Sequence, residues 1–96
     1  MPPVNYKVSQ PGVVSDAVRA LLRRAEAEGR LALVVQAAKY MRDELAYDPT
    51  HFGEARTPFV TLELDYRVAF VRPLMVEFTI HEPSRRVFIR RVVLTD

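Results

Sequence analysis

The sequence predicts a small α+β domain in which two antiparallel helices pack on one face of a small antiparallel sheet. Apolar and polar residues alternate through residues 74–81, which is the pattern of a strand with one buried face and one face in water. Two earlier segments repeat apolar residues every three or four positions, as amphipathic helices do. The predicted element order is β-α-α-β-β-β, within a single domain that spans residues 1–96.

Composition limits the classes of function. The chain has no cysteine, which excludes disulfides, cysteine nucleophiles and thiolate metal sites. Its net charge of +2 is too small to imply nucleic acid by itself. No apolar run approaches the roughly 20 residues that span a bilayer, and the first residues lack the core of a signal peptide. We therefore expect a cytoplasmic protein that does not contact a membrane.

The first third of the chain predicts a short strand and a helix. Residues 4–8 alternate, and Pro11 with the glycine after it ends that strand. Ser15 is the predicted N-cap of the first helix, and Asp16 in the first turn suits the positive end of the helix dipole. Gly29 is the predicted end of this helix.

A second helix and a loop are predicted next. The helix covers residues 30–47 and ends at Asp48, because a residue before proline is pushed out of the α region. Residues 48–58 are predicted to be a loop, with Phe52 packed back against the core. Three strands are expected to follow, at 65–71, 74–81 and 85–94, and the weak alternation of residues 59–64 is read as the beginning of the first of them.

The strand at 74–81 should bury one set of side chains and expose the other. The residues predicted to be buried are Leu74, Val76, Phe78 and Ile80. The residues predicted to face water are Met75, Glu77, Thr79 and His81.

The sequence shows no pattern for metal binding, nucleotide binding or catalysis by a serine nucleophile. The two histidines, His51 and His81, lie in different elements, so no close metal-ligand spacing exists and each is read as a surface side chain. The three glycines are far apart, and no Gly-x-Ser-x-Gly motif is present. No cofactor and no metal are therefore expected.

Arginine is the remaining candidate for chemistry, since only two of the fourteen basic residues are lysine. Strict alternation places Arg90 and Arg91 on opposite faces of the last strand, so one of them should lie under the helices and need an acidic partner. An ion pair at the sheet edge is one reading. The other is a surface for phosphates or an acidic partner, which Tyr66 and Phe70 would make suitable for RNA. The arginines assigned to that surface are Arg67, Arg72, Arg85, Arg90 and Arg91.

Two segments, 44–56 (ELAYDPTHFGEAR) and 66–94 (YRVAFVRPLMVEFTIHEPSRRVFIRRVVL), carry a further pattern. A helix ends at Asp-Pro, a Phe-Gly-Glu loop follows, and paired strands flank a turn that ends in Pro-Leu. This pattern resembles the RelE/ParE toxin superfamily, and the similarity extends over nearly the whole chain in element order.

The resemblance implies a toxin of a type II toxin–antitoxin pair, neutralised by an antitoxin that wraps the sheet and helices. RelE-like members cut messenger RNA on the ribosome without a metal: the 2′-hydroxyl attacks the adjacent phosphate, and arginine and lysine stabilise the charge. ParE-like members inhibit DNA gyrase instead. The expected partners are thus a cognate antitoxin and, for a nuclease, the ribosome or messenger RNA.

The catalytic set of the resemblance is incomplete in this chain, and Arg67 and Arg90 are the candidates that remain. The RelE-type Tyr-Arg pair at the start of the strand after the turn reads Leu74-Met75 here. A shifted alignment would make Tyr66 and Arg67 that pair. The family's further arginine and tyrosine beyond the last strand have no counterpart after Leu94.

Two alternative functions stay open at this point. One is a non-enzymatic binding module that kept the RelE/ParE fold and lost the nuclease site. The other is a structural subunit that dimerises through an exposed strand edge.

Overall fold

The computed structural model describes residues 5–57 and 64–95. It contains five strands and three helices in these ranges, and the α+β class and the two-helix, one-sheet arrangement are confirmed. The elements are β1 (Lys7–Ser9), α1 (Gly12–Ala27), α2 (Leu31–Tyr47), α3 (Pro49–Phe52), β2 (Glu54–Thr57), β3 (Leu64–Val71), β4 (Leu74–His81) and β5 (Arg86–Leu94).

The five strands form one sheet in the order β1-β5-β4-β3-β2. Strands β2 to β5 pair antiparallel, as predicted, whereas β1 adds to the edge of β5 in the parallel direction. The long pairings of β4 with β3 and β5 place β4 at the centre of the sheet. Strand β4 also has the bounds that the alternation predicted.

The hydrophobic core lies between the sheet and the helices. The four residues of β4 predicted to be buried are buried, and they pack with Val34, Ala37, Met41 and Leu45 of α2. These α2 residues recur at three and four positions, so one stripe of the helix meets the sheet. None of the helices in the described ranges is long and apolar enough to cross a membrane.

Helix α1 begins at Gly12, four residues before the predicted first helical residue, Asp16, so Ser15 is not its N-cap. The backbone carbonyl of Pro11 accepts from the amides of Val14 and Ser15, at 3.0 and 2.9 Å, and this starts the helix without a side-chain cap. Proline can begin a helix in this way because its ring fixes φ near the helical value. The predicted stop is confirmed: Gly29 has φ +71°, a left-handed conformation that suits glycine at the end of a helix.

The segment predicted to be a loop after α2 contains a short helix and a strand. The side chain of Asp48 caps α3 by accepting from the amide of His51 at 3.4 Å and the hydroxyl of Thr50 at 2.8 Å. Pro49 is the first residue of α3, where a backbone N–H would have no partner within the helix; proline has no backbone N–H, so no donor is left unpaired. Strand β2 follows at once and extends the sheet beyond β3.

Phe52 packs against the core, as predicted. Its ring stacks on Phe78 with centroids 6.3 Å apart and meets Tyr40 edge-on at the same distance. Gly53 lies below this stack, and a Cβ there would come within 2.5 Å of Phe78 Cζ. Only glycine fits beneath Phe78 without displacing it.

Two other boundaries differ slightly from the predictions. Strand β1 starts at Lys7, and the first residue of the predicted strand, Val4, lies outside the described residues. Strand β5 starts at Arg86, since Arg85 has φ +53° and belongs to the turn. Residues 59–64, read as the beginning of the strand at 65–71, lie outside the described residues except for Leu64, where β3 begins.

Candidate functional site

The sheet has a helix-covered face and an opposite face, which we call the outer face. Phe78 and its inward neighbours define the covered face, so the residues between them in β4 and their partners in β3 and β5 belong to the outer face. The residues that this pairing assigns to the outer face are Leu64, Tyr66, Val68, Phe70, Met75, Glu77, Thr79, His81, Arg86, Phe88, Arg91 and Val93.

A β-bulge in β5 decides where its two central arginines point. Glu77 pairs with Arg91 and the next residue of β4, Phe78, pairs with Ile89, so Arg90 is an extra residue without a partner in β4. The extra residue shifts the alternation of β5 side chains between the two faces by one position, as a β-bulge does. As a result, Ile89 is buried, while Arg90 and Arg91 are both exposed.

The prediction that one of these arginines lies under the helices is therefore wrong. It assumed unbroken alternation, and a single inserted residue turns the following side chains to the other face. Both arginines lie on the outer side of the sheet, and neither needs a buried acidic partner.

Arg90 rests on two residues of the outer face. Its Nε donates to Thr79 Oγ1 at 3.3 Å, and its guanidinium carbon lies 5.7 Å from the centre of the Phe88 ring. Thr79 also pairs in register with Tyr66 of β3. Tyr66, Thr79 and Phe88 thus form a row across three strands, with the Arg90 guanidinium above two of its members.

Arg67 lies on the opposite face of the sheet from Arg90. It pairs with Phe78, and its side chain holds α3 to the sheet. Its Nη1 donates to the carbonyls of Thr50 and Gly53, at 2.8 and 2.9 Å, and its Nε donates to Asp65 Oδ2 at 2.8 Å. Its side chain is only 20 % exposed.

The predicted surface that combined Arg67 with a last-strand arginine does not form. Strand parity is the reason: a partner of the buried Phe78 must point to the covered face. The predicted catalytic pair Arg67 and Arg90 is thereby separated by the sheet, and their catalytic roles remain predictions.

The other predicted arginines lie at the two ends of the sheet. Arg72 is exposed in the β3–β4 turn, and Arg85 is exposed in the β4–β5 turn with its guanidinium 5.0 Å from the centre of the Tyr6 ring. Strand β4 has eight residues, so these turns lie roughly 25 Å apart at about 3.4 Å per residue. Arg86 pairs with His81 in register and is the arginine of the outer face nearest to Arg85 in sequence.

The pKa values of two side chains outside the outer face, Tyr6 and Asp48, differ from their ordinary values. The Tyr6 hydroxyl donates to Glu82 Oε1 at 2.7 Å, and this hydrogen bond, with burial, raises the pKa of Tyr6. The hydrogen bond from Thr50, followed by those from His51, lowers the pKa of Asp48. The first pairing ties the β4–β5 turn, which contains Glu82, to the segment before β1, whereas the second caps α3 locally.

The two histidines are exposed or partly exposed, as predicted. His51 Nδ1 contacts Asp48 Oδ2 at 2.6 Å, and His81 Nδ1 contacts Ser84 Oγ at 2.5 Å. No group of three metal-ligating side chains occurs in the part of the chain that the structure describes.

Sequence reasoning missed two members of the outer face that contact Arg90. Thr79 is buried although it lies on the face predicted to meet water, and Phe88 was not among the predicted site residues. The alternation of β4 already placed Thr79 correctly. The pattern of a single strand cannot show which side chains of β3 and β5 lie beside Thr79 in the sheet.

No protein-family model matches the sequence, and no curated protein matches it. Among solved structures, the chain is similar to one in the crystal structure of the archaeal RelE–RelB complex from Pyrococcus horikoshii OT3. The TM-score is 0.62, the sequence identity is 18 %, and the match covers 94 % of each chain. At this identity the likeness concerns the fold, which is RelE-like over nearly the whole chain.

Proposed function

We propose that this protein is the toxin-like component of a type II toxin–antitoxin module, that it binds a cognate antitoxin, and that it engages RNA through its outer face. The observation that carries the proposal is the bulge in β5, which turns the exposed Arg90 and Arg91 to the same face of a RelE-like fold. The neighbour of known structure was solved as a complex of two proteins, which supports a protein partner for this chain as well. Such a module works in the cytoplasm.

The chemistry of the outer face suits the RNA backbone. Guanidinium groups bind phosphate oxygens in a planar, two-pronged geometry. The hydrogen bond of Arg90 to Thr79 uses Nε, which orients the guanidinium and directs its terminal nitrogens to a ligand. Phe88 beside Arg90 and Tyr66 in the same row are aromatic side chains, of the type on which unpaired bases stack.

Cleavage of RNA on this face would need no metal. The ribose 2′-hydroxyl gives its proton to a base and its oxygen bonds to the adjacent phosphorus. The bond from phosphorus to the 5′-oxygen breaks, which leaves a 2′,3′-cyclic phosphate, and the 5′-oxygen takes up a proton from an acid. Arg90 is the group that we assign to the charge that develops on the phosphate oxygens. Tyr66 and His81, on the same face, are the candidates for the proton transfers.

A non-enzymatic binding module is the second candidate function. The observation that favours it is the engagement of Arg67, whose donors bind the carbonyls of Thr50 and Gly53 and the carboxylate of Asp65 instead of facing the outer surface. Met75 lies on the outer face at the position where the resemblance would place part of the Tyr-Arg pair. In this case the outer face binds RNA without cutting it.

RNA binding tests the proposal. We expect the double variant Arg90→Ala/Arg91→Ala to bind a labelled single-stranded RNA at least about tenfold more weakly than the wild type, measured by fluorescence anisotropy. Loss of two phosphate contacts should also reduce the slope of log K against log salt by about 1.4, since each contact contributes about 0.7 on a single strand.

The matched control is Arg23→Ala/Arg24→Ala, which removes two adjacent exposed arginines from α1. It should leave both the affinity and the salt slope close to those of the wild type. Equal losses in the two double variants would mean that RNA responds only to net charge, and the outer face would then have no special role. Intact RNA in the bound fraction, with and without ribosomes, would favour the binding module over the nuclease.

A further inference from the structure

A second candidate surface lies on α2, on the flank that faces away from α1. Leu33, Tyr40 and Tyr47 of this helix are 59, 54 and 42 % exposed, although each is a large and mainly apolar side chain. Val35, which lines the cavity between α1 and α2, lies about 140° around the helix from Tyr40, at about 100° per residue. We call the surface formed by Leu33, Tyr40 and Tyr47 the α2 flank.

The α2 flank has the spacing of a contact between helices. Its three residues are seven positions apart, which is close to two turns of helix, so they form one line over about 21 Å. Ala37 and Glu44 lie between them, at intervals of four and three residues. This alternation of four and three is the spacing by which two helices pack side by side. The α2 flank therefore suits a second helix.

The central residue of the α2 flank is held in place by packing. The Tyr40 ring meets Phe52 edge-on with centroids 6.3 Å apart, and Phe52 stacks on Phe78 of the core. Tyr40 is thus supported from below while more than half of it is exposed. A side chain that is already ordered loses less entropy when a partner binds, which lowers the cost of association.

The sequence of α2 makes this flank complementary to itself. Tyr40 is midway between Leu33 and Tyr47, so a second copy that packs antiparallel, with a two-fold axis at Tyr40, places Leu33 against Tyr47 twice. In the same arrangement Glu44 lies opposite Gln36 of the second copy, whose amide is a donor to the carboxylate. Parallel packing would instead place the two copies of Glu44 against each other.

The helix dipole favours the same direction. The first turn of α2 contains no acidic residue and its last turn contains no basic residue, so no side chain of α2 compensates the charges at its ends. Antiparallel packing places the negative end of each α2 beside the positive end of the other. The pairing of two copies therefore supplies the compensation that the single chain lacks in this helix.

We propose that the α2 flank is the interface of a homodimer, in which two copies of this chain pack α2 against α2, antiparallel, about a two-fold axis at Tyr40. The inference does not rest on the proposed function. Helix α2 covers one face of the sheet and the outer face is the other, so Arg90 and Arg91 lie outside this interface.

Sedimentation velocity over a series of protein concentrations tests the interface. The wild type should form a reversible dimer, and Leu33→Glu should raise its dissociation constant at least about tenfold, which corresponds to about 1.4 kcal/mol. Val35→Glu is the matched control, because it adds the same charge to the same helix outside the α2 flank. It should leave the dissociation constant unchanged. Both positions are more than half exposed, so both variants should fold.

Single cysteines test the direction of packing, since the chain has no cysteine of its own. Tyr40→Cys should form a disulfide-linked dimer with oxidised glutathione, because the two-fold axis brings both copies of position 40 within the roughly 7 Å that a disulfide allows. Leu33→Cys alone should stay unlinked, since its two copies lie about 21 Å apart along the helices. An equal mixture of Leu33→Cys and Tyr47→Cys should form linked dimers.

Three results would overturn the inference. They are a wild type that stays monomeric at all concentrations, a dimer that Leu33→Glu leaves intact, and linkage of Leu33→Cys to itself, which antiparallel packing forbids. Single-stranded RNA binding gives a separate readout, and Leu33→Glu should leave it unchanged. A dimer with the predicted cross-links that does not bind RNA would support the interface while removing the proposed function.

Discussion

Phe78→Ala should lower the free energy of unfolding by about 3–5 kcal/mol. Phe78 is 0 % exposed at the centre of β4, and its ring packs between the core and Phe52 of α3. Truncation removes the apolar contacts of the ring and leaves a cavity beside Gly53, whose own lack of a side chain made room for that ring. A loss of this size is a large part of the roughly 5–15 kcal/mol that stabilises a small domain.

Chemical denaturation with urea measures this loss. The control is Phe70→Ala, the same change at a phenylalanine that is 65 % exposed on the outer face. It should cost less than about 1 kcal/mol, because little area leaves a buried environment. If Phe78→Ala is too unstable to study, Phe78→Leu keeps most of the volume and should show a smaller loss in the same direction. Similar costs at positions 70 and 78 would contradict the assignment of the two faces of the sheet.

Arg67→Met should destabilise the protein by about 2–3 kcal/mol without weakening RNA binding. The guanidinium of Arg67 is the donor to the Thr50 and Gly53 carbonyls and to the Asp65 carboxylate. Hydrogen bonds to charged groups contribute about 1.5–3 kcal/mol each, and partial exposure of this group reduces their sum. Methionine keeps the length and apolar stem of the side chain, so the variant isolates the loss of the donors.

The matched change on the outer face is Arg90→Met. It should alter stability by less than about 0.5 kcal/mol, as exposed positions generally do, and it should weaken RNA binding. Denaturation should therefore show a loss of stability for Arg67→Met but not for Arg90→Met. RNA anisotropy should show a loss of affinity for Arg90→Met but not for Arg67→Met. A loss of RNA affinity in a folded Arg67→Met protein would return Arg67 to the candidate site.

The sequence allowed the architecture to be predicted because its main elements have regular periods. The alternation of Leu74–His81 predicted both the bounds and the buried face of the central strand. The repeat of apolar residues every three or four positions predicted an amphipathic helix at α2, although Val35, which belongs to that repeat, is exposed and Ala37 is buried instead. Asp48 and the proline after it correctly marked the end of α2. These signals are local, and the side-chain period alone determines which face is buried.

The errors have local causes of a different kind. Ser15 was chosen as a cap by residue type, but the carbonyl of Pro11 starts the helix earlier. The loop after α2 hides a short helix because Asp48 serves both as the end of one helix and as the cap of the next. In both cases, hydrogen bonds to backbone amides decide where the helix begins, and these bonds cannot be inferred from residue type alone.

The candidate site was harder to predict than the fold, because it depends on pairing between strands. The bulge at Arg90 appears only when the register of β4 and β5 is known, and it overturns the alternation rule at that residue. The placement of Arg67 depends in the same way on its pairing with Phe78. A list of arginines could thus be read from the sequence, but their division between the two faces of the sheet could not.

Expression of this chain alone in a bacterial host, with growth followed over time, tests the central claim most directly. The wild type should arrest growth, and Arg90→Ala/Arg91→Ala should restore it at an equal level of soluble protein. Arg23→Ala/Arg24→Ala should still arrest growth. Normal growth with abundant soluble wild-type protein, or arrest by all three proteins alike, would contradict a toxin that acts through the outer face.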